Sequence, residues 1–448
     1  MSKELHTLSA VTAAEAIRAG ALTSEELTKA CLERIAAVDA EIEAWAYLDP
    51  EHALGQARTA DEVRRSGKPV GPLHGVPVAI KDIIDTADMP TECGTVLLEG
   101  RQPRKDADVV SRLRAAGAVI LGKAVTAELA VFHPGKTRNP HNPGHTPGGS
   151  SSGSAAAVAA GMVPLALGTQ TNGSMIRPAS FCGVVGFKPT HGLLPRQGVL
   201  LQSAPLDQLG VYARTVEDAA LAAECLVGFH ERDPHTRPRP RPPWLETARQ
   251  EPPMEPRLAF VKSPVWDRAD AETREAFAEL VGFLGPQSVT EEQLGSPFDS
   301  VVEMHRAVME ADLARNYAHY YEKGRERLSA VLCEMIERGQ KVTAVEYNNA
   351  LAWRERLHDA LEELHHEYDA ILTPATVGPA PAGLDSTGNP VFCTLWTYLG
   401  TPAISLPLLQ GGNGLPLGVQ LVSARHDDAR LLRNARWLAS RVQAAEAS

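Results

Sequence analysis

Between residues 70 and 215, short apolar runs alternate with stretches of helical character. The runs read "VPVAI", "AVILG" and "VPLALG". Each has the length of a strand, and a continuous apolar run is typical of a strand that is buried on both faces. Buried strands separated by helices indicate an α/β sheet that helices cover. The chain is therefore expected to form one large α/β unit rather than several independent domains.

The composition of the chain divides that unit into five parts. They are an N-terminal helical layer (1–65), a core that carries the serine-rich motifs (66–225), a proline- and arginine-rich linker (226–256), a helical excursion (257–366) and a C-terminal return to the sheet (367–448). Two capping boxes, Thr23 with Glu26 and Thr343 with Glu346, predict helix starts. We expect a single three-layer α/β/α domain with a mixed central sheet.

Charge and cysteine content limit the partners and the location of the protein. The formal net charge is -11, and no block of lysine or arginine occurs, which argues against nucleic acid or a membrane surface as a partner. The first residues lack the apolar core of a signal peptide, and no apolar stretch approaches the roughly 18 residues that span a bilayer. The cysteines are scattered without CxxC pairing, which predicts reduced thiols in a cytoplasmic protein.

Residues 147–161, "PGGSSSGSAAAVAAG", place glycines and serines directly before a run of alanines. A Gly/Ser stretch is often a flexible linker, but this one runs straight into strong helix formers. It is better interpreted as a glycine-rich turn at the start of a buried helix, where backbone N–H groups favour negative charge. The segment "GSSSG" also matches a nucleophile elbow centred on Ser151, but the prolines of the preceding "NPHNPGHTPG" argue against the strand that an elbow requires.

A second serine, Ser174, ends the segment "GTQTNGS". A serine nucleophile needs a base to take its proton, and the attacked carbonyl oxygen needs N–H donors as it gains negative charge. A tight turn at Asn172 and Gly173 would point the backbone amides from Thr171 to Ser174 inward and supply those donors. A plain Asn-Gly turn between two elements explains the same residues equally well.

Lys81 ends the apolar run in "GVPVAIKDIID". A lysine at the end of a strand usually reaches solvent. If the side chain is buried instead, desolvation lowers its pKa from about 10.4, and the neutral amine can then accept a proton.

Lys81, "TPGGSSSGSAAAVAAG" and "GTQTNGS…RPASFCGVVGFKPT" together resemble the amidase signature family. The intervals between Lys81, Ser150 and Ser174 agree with those of the family. Further similarity runs from "GPLHGVPVAIKD" to "GTPAISLPL" and "GLPLGVQL", so the resemblance covers nearly the whole chain.

The resemblance implies a role for each of these residues. Ser174 would be the nucleophile, Ser150 a bridging serine that follows a cis peptide bond after Gly149, and Lys81 the terminal base. The backbone amides of Thr171, Asn172, Gly173 and Ser174 would form the oxyanion hole. Ser152 is expected either to hydrogen-bond within this relay or to cap the helix that follows.

The sequence departs from the commoner family pattern around the nucleophile. It has "QTNGS" at residues 170–174 and Arg177 three residues after Ser174. A malonamidase-like subgroup shares Gln-Thr and the shifted arginine, which in that subgroup can grip a substrate carboxylate. The alternative, slightly favoured, is that Arg177 pairs with a buried acidic residue and supports the loop.

Three further residues are candidates for substrate contact. Cys93 and Gly94 lie in "ECGT", a loop that the family places near the substrate, although a small buried residue would also suit that position. Trp396 could line an apolar pocket or pack in the core. No metal is expected: His133, His141 and His145 are close in sequence, but prolines separate them and no cysteine or acidic residue joins them at ligand spacing.

The resemblance implies a hydrolase of linear amide C–N bonds that uses no cofactor. A carbamate hydrolase with the same residues is the first alternative, and the amide-transferring subunit of a tRNA-dependent amidotransferase is the second. A catalytically silent scaffold is disfavoured because Lys81, Ser150 and Ser174 are all present. The expected partner is a small amide or carbamate, and the sequence is compatible with a homodimer.

Overall fold

The apolar runs of the sequence become strands of one sheet in the computed structural model, which describes residues 4–446. The described strands are β1 (Trp45–Leu48), β2 (Pro77–Lys81), β3 (Val119–Ala124), β4 (Leu165–Gln170), β5 (Val185–Lys188), β6 (Gln208–Ala213), β7 (Leu258–Lys262), β8 (Val289–Gln293), β9 (Ala370–Pro374), β10 (Ala403–Gln410) and β11 (Pro416–Val422). Their order across the 11-stranded sheet is β1-β3-β2-β4-β6-β5-β10-β11-β9-β7-β8. The prediction of one large α/β domain is confirmed.

The sheet is mixed, and its parallel part positions the residues of interest. β2 runs parallel to β3 on one side and to β4 on the other. β4 and β6 are antiparallel, as are β5 and β10. Because the carboxyl ends of neighbouring parallel strands meet at one edge of a sheet, the ends of β2 and β4 lie side by side.

Helices account for most of the remaining chain. The described α-helices are α1 (Ala10–Ala19), α2 (Ser24–Ile42), α3 (Pro50–Arg65), α4 (Asp108–Ala115), α5 (Ser152–Ala159), α6 (Ile176–Cys182), α7 (Val216–Leu226), α8 (Trp244–Arg249), α9 (Ala271–Leu284), α10 (Val301–Asn316), α11 (Ala318–Gly324), α12 (Ala330–Gly339), α13 (Ala344–Glu367), α14 (Val391–Leu399) and α15 (Asp428–Glu446). Short 3-10 helices occur at Leu5–Thr7, Val96–Leu98, Glu128–Ala130, Trp266–Arg268, Phe298–Ser300 and Arg325–Arg327. Both predicted capping boxes are confirmed at the starts of α2 and α13. Within residues 4–446, no helix is long and apolar enough to cross a membrane.

Successive residues of a strand point to opposite faces of the sheet, and the core divides accordingly. On β2, Val78 and Ile80 enter one hydrophobic cluster, together with residues of α4, α7 and α10. Ala79 enters the other cluster, with residues of α2, α5 and α6. Helices therefore cover both faces, which gives the expected three layers.

Three of the predicted parts contain elements that the sequence analysis did not assign to them. The expected helical excursion (257–366) begins with β7 and contains β8 after α9, and both strands belong to the main sheet. β8 reads "VTEEQ" and buries only its first residue, because it is an edge strand and lacks the apolar run of a central one. The N-terminal layer contains β1, and the proline-rich linker contains α8, whose Trp244 is buried.

Candidate active site

Lys81 is the last residue of β2 and is completely buried. Its Nζ lies 2.7 Å from Ser150 Oγ and 2.8 Å from Thr169 Oγ1, both hydrogen-bond distances. Burial lowers the pKa of Lys81 well below its ordinary 10.5, and the carboxylate of Asp207 opposes part of that effect. The side chain is thus held next to a serine hydroxyl in surroundings that favour the neutral amine.

The serine-rich turn that carries Ser150 is buried throughout, from residue 146 to residue 158. This excludes the flexible linker. The peptide bond between Gly149 and Ser150 is cis, the geometry that the family resemblance implied. A Cβ atom at Gly149 would lie 2.5 Å from Thr387 Cγ2, so only glycine fits there.

The neighbouring serines do not contact Lys81. The hydroxyl of Ser151 accepts a hydrogen bond from Thr169 N and donates one to Thr169 O, both at 3.2 Å. Since this pairing occupies the hydroxyl, it disfavours Ser151 as a nucleophile. Ser152 heads α5, and its hydroxyl donates to the carbonyl of Val125 at 3.4 Å. It is neither the helix cap nor a hydrogen-bonded member of the relay.

Ser174 lies in the turn between β4 and α6 and is partly exposed. Its carbonyl accepts a hydrogen bond from the Tyr212 hydroxyl at 2.8 Å. Over the described part of the chain, the backbone amides of residues 171–174 have no hydrogen-bond acceptor. All four of these residues line a cavity of about 20 Å³ with Ser174 at its wall. The turn therefore presents unused donors where an oxyanion could form.

Gln170 holds this turn from inside. Its Oε1 accepts hydrogen bonds from the amides of Met175 at 2.7 Å and Ile176 at 3.0 Å, which begin α6. Its Nε2 donates to Thr397 Oγ1 of α14 at 2.8 Å. Thr397 in turn donates to the carbonyl of Asn172. The glutamine can make all of these contacts because its side-chain amide both accepts and donates hydrogen bonds.

Helix α14 and helix α10 support the same turn from outside. Thr394 of α14 donates to Asn172 Oδ1 at 2.8 Å. His305 of α10 lies with its Nε2 2.9 Å from the carbonyl of Thr171, and Thr171 Oγ1 donates to Asp207 at 2.7 Å. These supporting residues escaped the sequence analysis, because most of them lie far from Ser174 in the chain.

Thr169 and Asp207 also escaped it, although local signals exist. Thr169 interrupts the apolar run of β4 with a buried hydroxyl, and Asp207 is a carboxylate within the mainly apolar "APLDQLG". Burial raises the pKa of Asp207 to about 6. A charged residue inside an apolar run is a signal for a buried polar network.

Arg177 is buried on α6 and does not pair with an acidic residue, which corrects the favoured interpretation. Its Nη2 donates to the carbonyl of Gly149 at 2.7 Å and to Thr387 Oγ1 at 3.1 Å. A backbone carbonyl and a hydroxyl from two separate loops therefore contact the guanidinium where an acidic side chain was expected. The Nε and Nη1 atoms of Arg177 have no partner within residues 4–446, and the side chain lines the same cavity as Ser174. Burial lowers the pKa of Arg177 to about 10.

The other predicted substrate contacts lie away from this cavity. Cys93 is buried, and burial raises the pKa of its thiol to about 12. Neither Cys93 nor the adjacent Gly94 lines the cavity at Ser174. Trp396 is buried in the hydrophobic core, because it lies on a different side of α14 from Thr394 and Thr397, which contact Asn172.

The three clustered histidines are spread along a loop. His141 Nε2 lies 2.9 Å from the carbonyl of Cys182, and His145 forms an isolated bridge with Ala382. Among the residues that the structure describes, no group of three or more histidine, cysteine or acidic side chains could hold a metal ion.

Comparison with known proteins shows the family to which the chain belongs. The family model described as amidase matches residues 26–432. The chain belongs to the amidase family. It is similar to a glutamyl-tRNA(Gln) amidotransferase subunit of Chloroflexus aggregans, with 35% identity over 96% of this chain and 95% of that protein.

Two solved structures show the same fold. The peptide amidase of Stenotrophomonas maltophilia superposes with a TM-score of 0.83 and 29% identity, covering 98% of this chain and 97% of that one. A chain from a vestigial complex linked to the origins of an s-triazine catabolic enzyme gives a TM-score of 0.89 and 29% identity, with 97% and 98% covered. The fold and the family therefore agree.

Proposed function

We propose that this amidase-family chain hydrolyses a linear amide C–N bond through an acyl-enzyme on Ser174. The observation that carries the proposal is the buried Lys81 amine at 2.7 Å from Ser150 Oγ. A buried amine whose pKa is lowered can act as a base near neutral pH. The family pattern and the free amides around Ser174 supply the nucleophile and the oxyanion hole.

In the proposed reaction, neutral Lys81 takes the proton of Ser150 while Ser150 takes the proton of Ser174. Ser174 Oγ bonds to the carbonyl carbon, and the carbonyl oxygen gains the negative charge beside the amides of residues 171–174. The C–N bond then breaks, and the departing nitrogen receives the proton back through Ser150 from Lys81. Water attacks the acyl-enzyme by the same route and releases the acid and free Ser174.

Arg177 is the proposed recognition site for a substrate carboxylate, as in the malonamidase-like subgroup. A buried guanidinium with two unpartnered nitrogens is costly unless an anion is present. Because these nitrogens belong to a side chain in the wall of the Ser174 cavity, a carboxylate there would satisfy them and orient the amide. The preferred substrates would then be short amido acids.

Testing Arg177 requires substrates that differ only in the carboxylate. We expect Arg177→Met to raise KM for a carboxylated amide by about 10-fold to 100-fold relative to its neutral analogue, the loss of a charge-assisted hydrogen-bonded pair. Arg177→Lys keeps the charge and should recover part of that selectivity. An equal loss for both substrates would leave Arg177 as a support for Gly149 alone.

Two alternatives use the same residues. Carbamate hydrolysis needs the same base, nucleophile and oxyanion donors, so carbamates are included in the test. Amide transfer is favoured by the 35% identity to the amidotransferase subunit of Chloroflexus aggregans. The "QTNGS" turn and the net charge of -11 speak against a role beside tRNA.

The deciding experiment compares aryl amides, aliphatic amides, short amido acids, carbamates and esters on the purified chain. Hydrolysis of amides that disappears in Ser174→Ala would support the proposal. Faster turnover of carbamates would favour the first alternative. Glutamine hydrolysis that requires charged tRNA and a second subunit would favour amide transfer and refute a free-standing hydrolase.

The predicted partners and location remain proposals. The negative charge and the absence of basic runs support a small-molecule partner, and the scattered cysteines support a cytoplasmic location. Light scattering of the purified chain would decide whether it forms a homodimer.

A further inference from the structure

The cavity beside Ser174 is lined partly by apolar side chains. Phe132, Met309 and Leu313 line it together with the turn at residues 171–174. Its volume of about 20 Å³ leaves room for one or two water molecules. Because Ser174 lines this cavity, an acyl group bonded to its Oγ would lie beside these apolar side chains.

The helix that carries Met309 and Leu313 is hydrogen-bonded to the turn at Thr171 and to Ser203. Met309 follows His305 by one helical turn on α10 and shares its face. His305 is tied to the carbonyl of Thr171 at 2.9 Å, and Asp312 accepts a hydrogen bond from the Ser203 hydroxyl at 2.6 Å. Movement of α10 away from the cavity would break both contacts, so a longer acyl chain cannot simply push the helix aside.

We propose that Met309 and Leu313 limit the acyl part of the substrate to an acetyl- or propionyl-sized group. The inference rests on the proposed hydrolysis at Ser174 and narrows its substrate class to amides of short acids. Both side chains are buried, at 7% and 1% exposure, and overpacking a buried site is destabilising. A longer chain would meet these two side chains before its carbonyl reached Ser174.

The test uses 4-nitroanilides of acetic, butyric and hexanoic acid, which share one leaving group. We expect kcat/KM of the wild type to fall by about 10-fold or more from acetyl to hexanoyl. Met309→Ala and Leu313→Ala should each raise kcat/KM for the hexanoyl compound by about 10-fold while changing acetyl little. Met304→Ala, the same change on α10 at a residue outside the cavity wall, should leave the profile unchanged.

Failure of this inference and failure of the proposed function give different results. Hydrolysis of all three anilides at similar rates would overturn the size limit and leave the hydrolase in place. If no amide is cleaved, covalent labelling of Ser174 by methane-, butane- and octanesulfonyl fluoride, followed by intact mass, still reports the size limit. Faster labelling of the wild type by the smallest reagent, together with similar labelling rates for all three reagents in Met309→Ala, would support the size limit. Equal labelling rates in the wild type, or no labelling at Ser174, would overturn it.

Discussion

Replacing Lys81 with methionine removes the proposed base while keeping most of the side-chain volume. Burial lowers the pKa of Lys81 well below 10.5 in the folded chain, whereas the unfolded chain keeps the ordinary value. Between the folded-state pKa and 10.5 the unfolded chain therefore binds more protons. The wild type loses stability as the pH falls through this window, by about 1.4 kcal/mol for each pH unit.

The Lys81→Met variant lacks that dependence. It also loses the two hydrogen bonds from Nζ to Ser150 and Thr169, a pH-independent cost of about 1–3 kcal/mol in total. The free energy of unfolding of the variant, relative to the wild type, should therefore rise by about 1.4 kcal/mol for each unit of decreasing pH. Its kcat should fall by about 100-fold to 10,000-fold, the range of a lost general base.

Urea unfolding followed by circular dichroism from about pH 7 to about pH 10 measures the difference directly. Lys188→Met is the matched control, since burial lowers the pKa of Lys188 to about 7 and its Nζ is hydrogen-bonded to Gln208 instead of Ser150. It should share the slope above pH 7 and retain hydrolysis. A difference between wild type and Lys81→Met that is constant with pH would show a charged Lys81 in the folded chain and refute its role as a neutral base.

Ser174→Ala should lower kcat at least about 1,000-fold and change the free energy of unfolding by less than about 0.5 kcal/mol; residual hydrolysis at the wild-type rate would move the nucleophile elsewhere. Gln170→Leu leaves the amides of Met175 and Ile176 without an acceptor, so kcat should fall by about 10-fold or more with KM little changed. Gln170→Glu keeps an acceptor and should recover much of the lost kcat. An equal loss of kcat in both variants would contradict the acceptor role. Asp207→Asn removes a negative charge that raises the pKa of Lys81. In a plot of kcat/KM against pH, the acid limb should therefore move to lower pH. A shift of that limb to higher pH would contradict this coupling.

Local patterns in the sequence predicted the sheet and the starts of helices well. Apolar runs such as "VPVAI" are buried as β2, and both capping boxes begin helices. β8 could not be predicted in this way, because an edge strand with one buried residue lacks the alternation or the apolar run on which such predictions depend.

The residues proposed to carry the chemistry could be named from the sequence, but the residues that support them could not. Lys81 and Ser150 lie 69 residues apart and were joined only through a family pattern, whereas Thr394 and Asn172 are 222 residues apart and belong to no motif. Trp396 illustrates the same limit. From the sequence alone, an apolar residue on a helix that packs in the core cannot be distinguished from one that lines a cavity. Arg177 was expected to contact a carboxylate. It contacts the carbonyl of Gly149 instead, and this contact depends on the tertiary fold.

The proposed reacting groups come from residues 81 to 174, whereas α10 and α14, which contact the turn at residues 171–174, begin only at Val301 and Val391. Substitutions in the later half of the chain can therefore change which substrate is bound during evolution, while the proposed catalytic residues stay the same. The freedom is bounded at His305, Thr394 and Thr397, since these side chains brace the nucleophile turn itself. Chimeras between amidase-family chains should therefore keep these three residues, Thr387 and the pairing of β10 with β5.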